Sequence, residues 1–311
     1  MTDIRVMPAG HVLPPFRMDL TVSVLRRLSS NVVDVLTPDG VYVRALAGEV
    51  APLIVRAHQS LADASLLVST EAAAMPRAVE IVERTLGVAR DLSEFDSAAA
   101  NVPWLAPLVR RMRGVKPPRY PSVWEGCANA IVFQQVSLRA ASSIMGRLIV
   151  SLGRPVAVDG LSTPVYVFPD ATCFRNAPDA LLRAAGLSGA KAATLRAVGD
   201  ALADGTLNEA ELEECSSEDA AARLRQIKGI GPWTAAVILL RGLGRLDVFP
   251  ANDTSIASNI ALVAGSDTFD SKKLLEILGP QRGMLYFYLL LARLEARGEI
   301  GVPSAERPVR E

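Results

Sequence analysis

The chain has 311 residues, 33 basic and 33 acidic side chains and so no net charge; half of it is hydrophobic and only 5% aromatic. That length allows two or three lobes with real cores, and the aliphatic bias suits a helix-rich protein. No apolar run reaches the roughly eighteen residues of a membrane span, and the start, MTDIRVMPAGHVLPPF, lacks the cationic-then-apolar order of a secretory signal, so a cytoplasmic, membrane-free protein is expected.

In chain order, Leu20, Val24, Leu25 and Leu28 fall at helical spacing, with Asp19 as a candidate N-cap. Residues 32–36 and 41–46 flank Pro38-Asp39-Gly40, a hairpin signal. Extended runs near 53–57 and 65–69 lead into a helix around 76–86. Residues 1–88 therefore read as a small α/β lobe of about four antiparallel strands. From there to about 305 the texture is helices broken by Pro and Gly, an all-α region. Val123, Cys127, Ile131 and Gln134 end one helix, and Ser137 caps the next, with Leu138, Ala141, Ile144, Met145, Leu148 and Ile149 as its apolar stripe. Further helices fit 178–185, 190–203, 220–226, 232–243, 253–264 and 280–297. The fold class is α+β, with a small antiparallel lobe followed by a mostly helical region.

Cys127, Cys173 and Cys215 are far apart with no CxxC pair, which argues against a disulfide framework or a zinc site. His11 and His58 are the only histidines, so histidine chemistry and a metal centre are not expected. The charge is unevenly distributed. Residues 97–124 carry Arg110, Arg111, Arg113, Lys116 and Arg119 and no acid, and residues 220–246 carry Arg223, Arg225, Lys228, Arg241 and Arg245 and no acid. Many of the compensating acids cluster in DGTLNEAELEECSSED, residues 204–219. Acid-free basic stretches of this kind are either ordinary solvated faces or footprints for a nucleic-acid backbone.

The most informative stretch is LRQIKGIGPWTAAVILLRGLGRLDVFPAND, residues 224–253. Lys228-Gly229-Ile230-Gly231-Pro232 makes a short turn between two helical stretches. Both glycines are expected to allow positive φ and close approach of a partner, and Pro232 suits the first position of a helix. The N–H groups at that helix start point outward at a ready anion site, which a phosphate would fit. About twenty residues on, Asp247-Val248-Phe249-Pro250 leads to Asn252 and Asp253. Taken alone, the turn is an ordinary helix–helix connection and Asp253 a helix cap.

Together, at this spacing, the two elements resemble the helix-hairpin-helix (HhH-GPD) DNA glycosylase superfamily, and within it the DNA-3-methyladenine glycosylase II (AlkA-type) branch. The resemblance is specific over residues 224–260 and looser over about 104–297. It implies a monofunctional DNA glycosylase that extrudes alkylated purines from damaged duplex DNA and cleaves their N-glycosidic bonds, with Asp253 as the catalytic carboxylate. A purine alkylated at N3 or N7 is already a cation and leaves without a general acid. One carboxylate facing the sugar cation at about 4 Å, with an effective dielectric of about 20, contributes roughly 4 kcal/mol, or about a thousandfold in rate.

Trp233 stands where strand-cutting relatives carry a Schiff-base lysine, so no lyase activity is implied. Its alternative role is a core aromatic that anchors the hairpin helix. Trp233, Val237, Tyr286 and Leu290 are the expected lesion-pocket residues. The expected DNA contacts are Gln134, Gln135, Arg225, Lys228, Gly229, Ile230, Gly231, Thr234 and Arg241. Gln134 and Gln135 fall at the loop that relatives push into the gap left by the flipped nucleotide. No cofactor is implied beyond a monovalent cation held by the carbonyls of Arg225, Ile227 and Gly229 when DNA is bound. Relatives with an iron–sulfur cluster hold it on four cysteines near the C-terminus, and this sequence has no cysteine after 215.

A monomer is expected. Val237 and Leu290 replace pocket aromatics of the branch, which predicts a preference for cationic purines over neutral lesions. The rival readings are a glycosylase for another damaged base and a non-catalytic DNA-binding module.

Overall fold

A five-stranded antiparallel sheet forms the first part of the computed structural model, which describes residues 2–7, 11–60, 65–251, 254–265 and 270–300. Its strands are β1 (Thr2–Val6), β2 (Val35–Leu36), β3 (Val41–Leu46), β4 (Leu53–Gln59) and β5 (Leu66–Glu71), in the order β1-β5-β4-β3-β2. The alternation that made β4 legible buries Leu53, Val55 and Ala57 on one face. β1 was not expected; it pairs with β5, Ile4 opposite Ser69. Its sequence, TDIRV, is too short and too polar to stand out as a strand.

Helices α1 (Met18–Arg26) and α2 (Met75–Leu86) accompany the sheet. The residue that caps α1 is Arg17 rather than Asp19; Asp19 lies inside the first turn, where its carboxylate accepts from the Arg17 guanidinium. The remaining chain is mostly helical: α3 (Ser93–Ala100), α4 (Ala106–Arg111), α5 (Val123–Val132) and α6 (Leu138–Leu152). Next come α7 (Ala171–Asn176), α8 (Asp179–Ala184), α9 (Gly189–Ala203), α10 (Glu209–Glu214) and α11 (Ser217–Arg225). α12 (Pro232–Arg241), α13 (Thr254–Ala264), α14 (Ser271–Leu278) and α15 (Met284–Ala296) complete it.

This region is not purely helical. Strands β6 (Arg154–Val156) and β7 (Val165–Val167) form an antiparallel ribbon between α6 and α7, with Val165 buried against Val43 and Ala45 of β3. The ribbon completes the outer face of the sheet, and three-residue strands leave no periodicity to read. Ser137 caps α6 as expected, accepting from the Ala140 N–H at 3.2 Å.

Two features fix the helical region relative to the sheet. Arg44 of β3 is buried between the carboxylates of Asp34 and Glu125, the latter on α5, and the Tyr42 hydroxyl donates to Asp34 at 2.9 Å. α5 and α12 meet backbone to backbone, because a Cβ on Gly126 would stand 2.8 Å from the Gly242 Cα. That close crossing brings the C-terminal end of α5 beside the turn that begins α12.

Candidate functional site

The turn between α11 and α12 has the hairpin geometry expected of it, with one change. Gly229 adopts φ +97°, and a Cβ there would lie 2.0 Å from the Thr194 hydroxyl, so only glycine fits. Gly231 is instead extended, φ −88° and ψ 179°, as the residue that precedes Pro232 at the first position of α12. Its lack of a side chain leaves the helix start open, since a Cβ there would meet nothing. The first N–H groups of α12 have no intrahelical acceptor and face outward for an anion.

The end of α5 braces this turn. The Gln134 amide donates to the Gly229 carbonyl at 3.0 Å and to the Thr234 hydroxyl at 2.7 Å. The Lys191 ammonium in turn donates to the carbonyls of Val132 and Gln134. Gln134 is thus committed to holding the hairpin, and Gln135 is the residue left to project: it is exposed and sits in the left-handed region at φ 52°.

Between these elements and α15 lies a cleft of about 1060 Å³. Trp233, Val237, Tyr286 and Leu290 all line it, together with Gln134, Gln135, Gly229, Gly231 and Thr234. Arg225 and Lys228 stand outside it, exposed on the hairpin. Asp253 lies outside the described residues. Helix α13 begins at Thr254, the next residue in sequence, and Ile256 and Asn259 of that helix line the cleft.

Two expected DNA contacts are corrected. Arg241 is fully buried and donates to the Val24 and Leu25 carbonyls at 3.1 and 3.2 Å, where it caps the C-terminal end of α1. The same position in an acid-free basic stretch cannot tell a surface cation from a buried one. Ile230 is also buried, and its N–H donates to the Ile227 carbonyl at 3.0 Å, so it anchors the hairpin and offers no donor to a phosphate.

Several of the other basic residues are likewise engaged internally. Lys116 is buried and donates to the Arg90 carbonyl, Arg245 donates to carbonyls at the end of α10, and Arg223 pairs with Glu211. Arg225 and Lys228 are the hairpin cations left facing solvent.

The cleft also holds residues that the sequence reading did not single out. Phe133 lines it one residue before Gln134, a position that the motif could have suggested. Arg27, Asn259, Arg293 and Arg297 line it with no local signal at all. Four buried polar atoms around the cleft have no hydrogen-bond partner: Trp233 Nε1, Asn259 Oδ1, Arg27 Nη1 and Arg297 Nη1. An unmade buried hydrogen bond costs about 1–3 kcal/mol, and such groups are uncommon. Six further such atoms lie elsewhere among the described residues, so these four single out the cleft only together with its shape and aromatic lining. Burial, and then the like charges of Arg293 and Arg139, hold the Arg297 pKa below its ordinary value. Among the described lining residues there is no carboxylate and no lysine.

Comparison with known proteins agrees with this geometry. The profile of the HhH-GPD superfamily base excision DNA repair proteins matches residues 128–279, from α5 through the hairpin to the end of α14. DNA-3-methyladenine glycosylase 1 of Schizosaccharomyces pombe is 30% identical over 171 residues, which cover 53% of this chain and 70% of that protein. The chain belongs to the HhH-GPD superfamily.

A probable bifunctional transcriptional activator/DNA repair enzyme AlkA of Mycobacterium tuberculosis is 33% identical over 174 residues, 56% of this chain. The chain spans about a third of that longer relative, 34% of its length. The solved structure of a 3-methyladenine DNA-glycosylase from Archaeoglobus fulgidus superposes with a TM-score of 0.75 at 26% identity, over 90% of this chain and 96% of that one. The family is therefore as the residues around the hairpin implied, and the mostly helical fold with a small antiparallel sheet is as the periodicity and turn signals along the chain predicted.

Among the described residues no cluster of His, Cys, Asp or Glu could hold a metal ion. Likewise, none of the helices there is long and apolar enough to cross a membrane.

Proposed function

We propose that this HhH-GPD protein is a monofunctional DNA glycosylase that releases alkylated purines of the 3-methyladenine kind from duplex DNA. It would act in the cytoplasm on nucleoid DNA. The observation that carries this reading is the cleft beside the hairpin, lined by Trp233, Phe133 and Tyr286, with orphaned polar atoms around it. Its volume of about 1060 Å³ is ample for a base and its sugar. The hairpin grips the backbone next to the lesion through the N–H groups at the start of α12. Gln135, exposed and in a left-handed backbone conformation, takes the place of the nucleotide that swings out. The extruded purine stacks on the cleft aromatics.

Asp253 then stabilises the positive charge that develops on the sugar and orients the attacking water. A leaving base that is already cationic needs no proton, which is why one carboxylate is sufficient. Trp233 at the lysine position leaves no amine there to form an imine, so the product is an intact abasic site. A monovalent cation on the carbonyls of Arg225, Ile227 and Gly229 would add a bridge to a DNA phosphate. The Ile227 and Gly229 oxygens each accept one hydrogen bond already and keep a second lone pair for such an ion.

Chromatography of bases released from randomly methylated duplex tests the reading. Free 3-methyladenine is expected, with no covalent adduct on borohydride reduction. Tight binding without release of any base would overturn it in favour of a DNA-binding module, and an adduct in good yield would overturn the monofunctional part.

Binding to undamaged duplex is expected to weaken steeply with salt through Arg225 and Lys228. Lys228→Ala should lower the log–log salt slope by about one, as for loss of one phosphate contact. An unchanged slope would place this lysine off the interface.

A further inference from the structure

Lys191 occupies an unfavourable place for a cation. Ser188 caps α9, and Lys191 is the third residue of that helix, its N–H donating to the Ser188 hydroxyl at 3.3 Å. The first turn is the positive end of the helix dipole, where a cation is disfavoured. Burial pushes the pKa of the ammonium down, and among the described residues no carboxylate opposes that shift.

What holds the ammonium there is the end of another helix. It donates to the Val132 carbonyl at 2.8 Å and to the Gln134 carbonyl at 2.7 Å. Carbonyls at the end of α5 lack intrahelical donors, and a cation there meets the negative end of the dipole. The next residue, Gln135, leaves the helix in the left-handed region at φ 52°. A residue with a side chain keeps that conformation when its surroundings enforce it, and the two bonds from Lys191 fix the backbone just before it.

Thr194 lies three residues on and so on the same face of α9, buried against Gly229 of the hairpin. One face of α9 therefore supports both the loop of Gln135 and the hairpin turn, and the Gln134 amide joins the two.

We propose that Lys191 is a positioning residue for base extrusion: it sets the Gln135 backbone in the pose that enters the duplex, and through α9 it ties that pose to the hairpin. The proposal rests on the reading above in which Gln135 takes the place of the flipped nucleotide, and deepens it by naming the group that holds the loop. A loose loop would have to be ordered at the moment of insertion, whereas a preset one avoids that ordering cost. A DNA phosphate is the less fitting role for Lys191, because two of its three ammonium donors are already taken by carbonyls.

Extrusion is measurable apart from chemistry. Stopped-flow fluorescence of 2-aminopurine beside a tetrahydrofuran abasic site reports loop entry, and single-turnover release of 3-methyladenine reports the whole reaction, both with the full chain. Lys191→Met keeps the length and loses the donors; it should slow both by about tenfold or more, the scale of a misplaced group. Affinity for undamaged duplex and its salt slope should stay unchanged. Lys191→Arg, which has donors for both carbonyls, should recover most of the rate.

Gln135→Ala separates positioning from plain stability. In that background Lys191→Met should have no further effect, since the residue it positions is gone. A further loss of the same size in the double variant would overturn the proposal, as would an unchanged rate in Lys191→Met. Losses that track a fall in thermal stability and are not recovered by Lys191→Arg would also overturn it. So would a salt slope lowered by about one, which would make Lys191 a phosphate ligand. Loop entry that is slowed by Lys191→Met, with no base released by the wild type, would sink the glycosylase reading and leave the positioning role standing. Loop entry as fast in Gln135→Ala as in the wild type would remove the loop reading, and the proposal with it.

Discussion

Asp253→Asn is expected to reduce base excision by about two to three orders of magnitude while leaving the fold and duplex affinity unchanged. A carboxylate about 4 Å from the sugar cation at an effective dielectric of about 20 contributes roughly 4 kcal/mol, and that energy is present only while charge is developing. Asparagine has nearly the same shape and caps a helix as well as aspartate does, so the substitution isolates the charge. Its position in the chain supports the assignment: α13 starts at the next residue, and Ile256 and Asn259 of that helix line the cleft. Single-turnover kinetics on 3-methyladenine duplex, with Kd and thermal unfolding as controls, make the measurement. Turnover within a few-fold of wild type would remove Asp253 from the chemistry, and a matching loss of thermal stability would make it a structural cap.

The second large effect concerns stability. Arg44→Met should cost about 3–5 kcal/mol, because it leaves two buried carboxylates without their cation. Arg44, Asp34 and Glu125 are all nearly inaccessible to water, and they join β3 to α5. Burial is the largest influence on Glu125 and raises its pKa; the Arg44 charge opposes that rise. Without Arg44 the folded-state pKa of Glu125 climbs further above its unfolded value of about 4.3. A carboxyl with a raised folded pKa binds more protons folded than unfolded, so the variant loses stability as pH rises and regains it as pH falls. Urea unfolding at neutral pH and near pH 5 measures both parts. A deficit under about 1 kcal/mol, or one that grows on acidification, would show that the carboxylates find water or another partner.

The hairpin was legible in the sequence because its geometry is local. Gly229 must take positive φ against Thr194, Pro232 opens a helix, and both requirements act within a few residues. The long helices were legible for the same reason, since apolar periodicity and caps such as Ser137 are short-range properties. The four residues expected at a lesion pocket came from the resemblance, and the structure brings Trp233, Val237, Tyr286 and Leu290 to one cleft.

Other features were decided only when distant segments met. β1 becomes a strand because β5 offers it an edge. Arg241 and Lys228 look alike in a basic, acid-free stretch, but the carbonyls at the end of α1 draw Arg241 into the interior and leave Lys228 in solvent. Arg27 reaches the cleft because a strained turn after α1 sets it on Phe133, more than a hundred residues away in sequence. By itself the sequence determined the local conformations, and through them the family. Which charges are buried and which are offered to a ligand was decided by tertiary packing, because desolvation depends on what the rest of the chain places around a side chain.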